Sequence, residues 1–287
     1  MWHIVGEPCD SCNLVCLLSF FQFYAMTSEI LSSKPTKLFI LLGGFFVTNA
    51  LLAEFIGIKI FSLEKLFGMD PLAMTFFGVN DLGFNLTAGV LLWPVVFIMT
   101  DIINEYFGIK GVRFLSWLAV GLIVYAFFMA FLAIKVPPND WWQSISGIRD
   151  DPAKSIPDMN LAFTRIFGQG LWIIAGSVIA FLLGQMIDVF VFHHIRRVTG
   201  ESKVWLRATG STLVSQFIDS FVVLLIAFYI GADWPLSRVL AIGVVNYIYK
   251  FSMAILLTPV IYLGHFYIDR YLGRDLAHQM KTAATAQ

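Results

Sequence analysis

Charge is scarce in this 287-residue chain and neither sign is in excess: 13% of residues are charged, with 19 Lys and Arg against 19 Asp and Glu. A nucleic-acid partner calls for a basic field, and zero net charge provides none. Cysteine is limited to Cys9, Cys12 and Cys16. Their spacing resembles a metal motif, yet zinc wants four ligands and only His3 lies near, so no metal is expected. The chain contains no G-x-x-x-x-G-K-[ST] loop and no G-x-S-x-G element. It therefore lacks the usual device for ATP hydrolysis and the usual setting of a serine nucleophile. No cofactor is expected.

Apolar residues are plentiful, 58% of the chain with a mean hydropathy of +0.78, outside the normal range of a soluble domain. A membrane helix needs about 20 apolar residues, and six windows meet that: 38–61, 87–107, 113–134, 171–194, 210–231 and 238–267. The expected fold class is all-α, a polytopic membrane protein of six transmembrane helices. Eleven of the 19 Lys and Arg fall in the segments that are inner if the N-terminus is inside, seven in the outer ones, and Lys250 within a span. Both termini are therefore expected in the cytoplasm. The long outer loops, about 62–86 and 135–170, carry amphipathic pieces such as 161–167 and are expected to form interfacial helices, as a lid or as plain connectors. The domain reading is a tail over 1–36, a transmembrane domain over 37–270 and a cytoplasmic C-terminal tail over 271–287. Residues 1–25 lack the basic start of a signal peptide, and Met26 precedes an ordinary first helix. They are read as an upstream start artefact or a tail.

Ionisable groups inside apolar spans are costly and mark polar cavities, partners or substrates. Here they are Glu54, Asp101, Glu105, Asp188, Asp219 and Lys250. They fall in helical stripes: Asp101, Asn104 and Glu105 at i, i+3, i+4; Gln185 and Asp188 at i, i+3; Thr212, Ser215, Gln216 and Asp219 at i, i+3, i+4, i+7; Asn246, Tyr249 and Lys250 at i, i+3, i+4. With ~1.5 Å of rise per residue, Gln185, Gln216, Asp101 and Lys250 reach one level of the membrane. The stripes are expected to converge on one wet interior. A Q-x-I-D-x-F-V pattern recurs at 185–191 and 216–222, as pseudo-symmetric halves of a transporter site would.

The expected ligand residues are Asn49, Asp101, Asn104, Gln185, Asp188, Thr212, Gln216, Asp219, Asn246 and Lys250. Two assignments stay open at this point. Asp101, Asn104 and Glu105 serve either as ligands or as a bracket tied to Lys110 or Arg113, and Lys250 is either a ligand contact or the counter-ion of Asp219 or Asp188. His193 and His194, beside Arg196 and Arg197, read as snorkelling surface groups. Trp93-Pro94 is expected to kink the second span.

The segments DIINEYFG (101–108), GQMIDV (184–189) and WLRATGSTLVSQFIDS (205–220), with Tyr249-Lys250 and Thr258-Pro259, resemble the bacterial queuosine precursor transporters, grouped among vitamin uptake transporters. The resemblance spans residues 38 to about 267. It implies an inner-membrane importer of 7-cyano-7-deazaguanine, or of its 7-aminomethyl relative, with no enzymatic activity. Such a base offers N1–H and an exocyclic amine to a carboxylate, and accepts at O6 and the nitrile from an amide or ammonium. The expected partners are that deazapurine and the bilayer, with homo-oligomerisation left open. Two alternatives remain: a binding subunit for an ATP-energised importer, and an intramembrane hydrolase using Asp188 and Asp219 as a carboxylate dyad.

Overall fold

The computed structural model describes residues 32–143, 156, 158–168, 171–199 and 204–286. The expectations for 1–25 and for the cysteines lie outside them. The chain divides into two compact units, 1–42 and 43–287. In the first, the described residues open helix α1 (Lys34–Ile56). Ser33 caps it, accepting from Thr36 N at 3.3 Å, and Pro35 takes an early-turn position where its missing N–H costs nothing.

The rest of the fold belongs to the second unit. After α1 come strand β1 (Ile60–Ser62), α2 (Leu63–Leu66), strands β2 (Met74–Phe76), β3 (Val79–Leu82) and β4 (Asn85–Thr87), and a 3₁₀ turn at Ala88–Leu91. Then follow α3 (Trp93–Lys135), α4 (Asp140–Gln143), α5 (Met159–Phe167), α6 (Leu171–Thr199), α7 (Val204–Leu224, continued by a π segment to Ile230), α8 (Leu236–Leu272) and α9 (Arg274–Thr285).

Five of these helices are long and apolar enough to cross a bilayer: α1, α3, α6, α7 with its π segment, and α8. The count differs from six because the second and third expected spans lie within one 43-residue element, α3. A straight helix of that length would run about 65 Å, twice the hydrocarbon core. It is not straight. Gly108 leaves helical geometry at φ 70°, ψ −170°, a conformation that only glycine adopts without strain, and it divides α3 into the pieces 93–107 and 109–135. Trp93-Pro94 does not kink a helix as expected. Pro94 stands in the first turn and starts α3, while the preceding residues, read from sequence as span, form β4 and the 3₁₀ turn.

Loop 62–86 is built mainly from strands. β1 pairs antiparallel with β4 and β2 with β3. Glu64 anchors the loop from a buried position: its carboxylate accepts from Phe84 N at 2.7 Å and Ser62 Oγ at 2.8 Å. Burial pushes its pKa up, but these hydrogen bonds outweigh burial and hold it below the ordinary carboxylate value. The stabilisation is therefore present at neutral pH and is lost only as pH falls through that lowered value. The amphipathic piece in the second long loop does form a helix, α5, capped by Asp158, whose Oδ1 accepts from Leu161 N at 2.8 Å. Phe167 on α5 meets Phe55 at 6.1 Å between ring centroids. The C-terminal segment is also helical, and Ala277 and Ala284 of α9 are buried.

Apolar side chains such as Phe114, Trp117, Phe190 and Leu256 point outward from the long helices, as a lipid-facing surface requires. Gly108→Ala is expected to lower the thermal denaturation midpoint of the detergent-solubilised protein, at a cost of about 1–3 kcal/mol. Gly121→Ala, at a helical site where an added Cβ meets nothing within 4 Å, should leave it unchanged or raise it.

Candidate substrate cavity

Four elements line a pocket whose empty space, counting the solvent at its opening, is about 510 Å³. From α3 come Trp93, Phe97 and Asp101, one helical face at i, i+4, i+8. From α7 come Thr209, Thr212 and Gln216 at i, i+3, i+7, and from α8 come Tyr249, Lys250, Met253 and Leu257. Val90 of the 3₁₀ turn adds to the wall. A flat heterocycle finds both polar and aromatic groups there. Trp93 is held by Phe97 and Phe181, with ring centroids at 6.0 and 5.5 Å. At one edge Thr209 and Thr258 hydroxyls join α7 to α8 at 2.9 Å.

The polar residues of the cavity differ in how they are satisfied. Lys250 forms an ion pair with Asp219, which answers the sequence question of its counter-ion while leaving its ammonium on the cavity wall. Gln216 is 1% exposed, and neither its amide oxygen nor its amide nitrogen has a hydrogen-bond partner among the described residues. An amide so buried costs about 1–3 kcal/mol for each unmet group. Its donor and its acceptor are both left over. Asp101 is 2% exposed and completes the polar set.

Of the ten residues expected from sequence, Asp101, Thr212, Gln216 and Lys250 line this cavity together, and Asp219 touches it through Lys250. Asp188 sits behind the wall, where its Oδ1 accepts from Ser215 at 3.2 Å and Thr212 at 3.5 Å. Gln185 is also behind the wall: its Oε1 accepts from Thr100 Oγ1 at 3.0 Å, one position before Asp101. Asn49 bonds the Phe45 carbonyl of its own helix at 2.8 Å, and Asn246 is half-buried away from the lining. The aromatic walls at Trp93, Phe97 and Tyr249 were not assigned from sequence, although the i, i+4 step from Trp93 to Phe97 was visible there. Asp188 and Asp219 are engaged separately, by hydroxyls and by Lys250. They do not form the shared-proton dyad of an aspartic hydrolase.

A second polar cluster lies on the Gly108 side of Asp101. Asn104, fully buried, contacts His193 Nε2 at 2.9 Å. Glu105 pairs with Arg196 at 3.5 Å. His193 and Arg196 are buried, not snorkelling, because α3 brings them an amide and a carboxylate. Arg196 also donates to the Lys281 carbonyl of α9 at 3.1 Å. Tyr106 donates to Asp269 at 2.6 Å, and Lys281 reaches the same carboxylate at 2.9 Å. The D-x-x-N-E stripe thus divides: Asp101 serves the cavity while Asn104 and Glu105 tie α3 to α6. Elsewhere Glu54 of α1 accepts from Ser177 of α6, a contact that spacing alone did not reveal.

Five long apolar helices define a polytopic membrane protein, and polar side chains line a pocket among three of its helices. The chain belongs to the family described as "Putative vitamin uptake transporter", whose family model matches residues 87–264, the stretch from the end of β4 to the middle of α8. Relatives include a "Probable queuosine precursor transporter" of Bacillus subtilis, 30% identical over 64% of this chain and 73% of its own. A protein of the same name from Haemophilus influenzae is 28% identical over 62% of this chain and 67% of its own. The "Queuosine precursor transporter" of Escherichia coli is 26% identical over 62% and 71%. No solved structure matches.

Removing one member of the Lys250–Asp219 pair leaves a charge stranded in a largely buried setting. Asp219→Asn and Lys250→Met are each expected to destabilise the protein by about 3 kcal/mol, and the double variant to recover most of that loss. Thermal denaturation in detergent reads the difference; equal losses that simply add would refute the coupling.

Proposed function

We propose that this chain imports a queuosine precursor, 7-cyano-7-deazaguanine or its 7-aminomethyl form, across a bacterial inner membrane, binding the base in the cavity between α3, α7 and α8. On this reading the two pieces of α3 count separately, giving six spans with both termini in the cytoplasm. The observation that carries it is Gln216, whose buried amide lies unsatisfied on the same wall as Lys250 and opposite Asp101 of α3. The base presents N1–H and an exocyclic amine as adjacent donors, which one carboxylate accepts together; Asp101 is assigned that role. O6 accepts from Gln216 or Lys250, and Thr212 supplies a further hydroxyl. Trp93, Phe97 and Tyr249 offer faces against which the ring rests. The names of the relatives support the same ligand class.

Uptake of radiolabelled precursor by a bacterium unable to make it, and expressing this chain, tests the reading. Wild type should accumulate label. Gln216→Ala and Asp101→Asn should reduce uptake at least tenfold at equal membrane abundance, the loss of about 1.4 kcal/mol or more of binding. Wild-type uptake in both variants would remove the site assignment. Vesicles holding only this polypeptide should transport; a requirement for added ATPase subunits would show instead a binding subunit of a larger importer.

A further inference from the structure

Asp188 on α6 is a buried site residue expected from sequence that forms none of the ion pairs described above. It is 0% exposed, and its Oδ2 has no hydrogen-bond partner among the described residues. Its surroundings are hydroxyls from a single turn of α7: Ser215 at 3.2 Å, Thr212 at 3.5 Å and Ser211. The titratable and charged groups on the neighbouring elements are Arg196, Lys250, His193, Glu54 and Asp101. Arg196 is with Glu105, Lys250 with Asp219, His193 with Asn104 and Glu54 with Ser177, while Asp101 lines the cavity.

The hydrogen count at Ser215 leaves room for a proton on Asp188. The Ser215 hydroxyl has one hydrogen but stands within reach of two acceptors, the Thr212 carbonyl at 3.0 Å and Asp188 Oδ1 at 3.2 Å. If the hydrogen goes to the nearer carbonyl, two oxygens with lone pairs face each other at the carboxyl group. Gln185 meets a similar clash, because Thr100 has one hydrogen for both Val96 O and Gln185 Oε1, each at 3.0 Å. There, turning the amide supplies the missing donor. A carboxylate cannot be turned to the same effect, but a carboxylic acid brings its own hydrogen.

We propose that Asp188 holds a proton in this conformation and is the proton-binding site that couples uptake to the cavity through Thr212. This deepens the transport reading and rests on it. Thr212 both lines the cavity and reaches Asp188 with its hydroxyl. With Asp188 protonated, the Thr212 hydrogen is available to the bound base; with Asp188 ionised, the carboxylate takes that hydrogen. Base and proton thus favour each other's binding, and by linkage each raises the affinity of the other. One proton enters with each base and leaves with it.

Two measurements decide the matter. Infrared difference spectra of the purified chain across a pH titration should show the carbonyl stretch of a buried carboxylic acid. That band should be lost in Asp188→Asn and shifted, not lost, in Ser215→Ala. A band that survives Asp188→Asn, or that Ser215→Ala leaves in place, overturns the proposal. In vesicles held at zero membrane potential, a gradient of one pH unit should drive about tenfold accumulation of labelled precursor for one proton per base, and Asp188→Asn should abolish the response to the gradient. Accumulation that follows a sodium gradient and ignores pH would also overturn it. If the wild-type chain moves no deazapurine under any gradient, the transport reading fails while the infrared band still reports on Asp188.

Discussion

An ammonium group can stay in the middle of an apolar helix only if a carboxylate comes to meet it, and in this chain Asp219 of α7 meets Lys250 of α8. That pairing fixes the rotation of both helices. With Lys250 turned toward Asp219, Tyr249, Met253 and Leu257 face the same space, and the α7 stripe brings Thr212 and Gln216 to it. Once α7 and α8 are set, α3 closes the chamber with Trp93, Phe97 and Asp101. An isolated ion pair of this kind is weak support for stability, because desolvating both charges offsets much of their attraction. Its value here is orientation: it keeps a cation at a binding wall without leaving it unneutralised.

Around this pair, each ionisable group has a separate setting. Glu105 and Arg196 neutralise each other where α3 meets α6, close to the Gly108 corner. Asp269 is shared by Tyr106 and Lys281, so that α9 is tied to the helices above it. Glu54 takes a hydroxyl from Ser177. The polar groups are therefore distributed over several small clusters, and the cavity uses only those that the helix crossings leave facing inward. The family match, residues 87–264, contains every residue lining the cavity and both partners of the central ion pair.

Much of this was legible in the sequence because helical spacing is strict. Asp101, Thr212, Gln216 and Lys250 were all found from stripes, and the depth count that placed Asp101, Gln216 and Lys250 at one level agrees with their lining one cavity. What spacing cannot give is the identity of the facing helix. Asn104 stands on the same stripe as Asp101 yet meets His193, because one turn further along α3 the neighbour is α6 and not α7 or α8. The repeated Q-x-I-D-x-F-V pattern fails as a symmetric pair for the same reason. Gln216 and Asp219 serve the cavity, whereas Gln185 binds Thr100 and Asp188 lies among hydroxyls. The span count departed from six at α3, where two apolar runs meet without a loop at the Gly108 break, and hydropathy carries no information about that. Nor did it separate Thr87–Leu92, which is apolar but forms a strand end and a 3₁₀ turn.

The account stands or falls on whether α3, α7 and α8 face one wetted chamber that a flat base fills. Single cysteines placed at Thr212, Gln216 and Ser220 in a chain freed of its own three cysteines, and challenged with a water-soluble maleimide, test this directly. Positions 212 and 216 should react, and added 7-cyano-7-deazaguanine should slow both, while position 220, buried outside the lining, should stay unreactive throughout. Labelling at 212 and 216 that the base leaves unchanged, or no labelling at either, would contradict it.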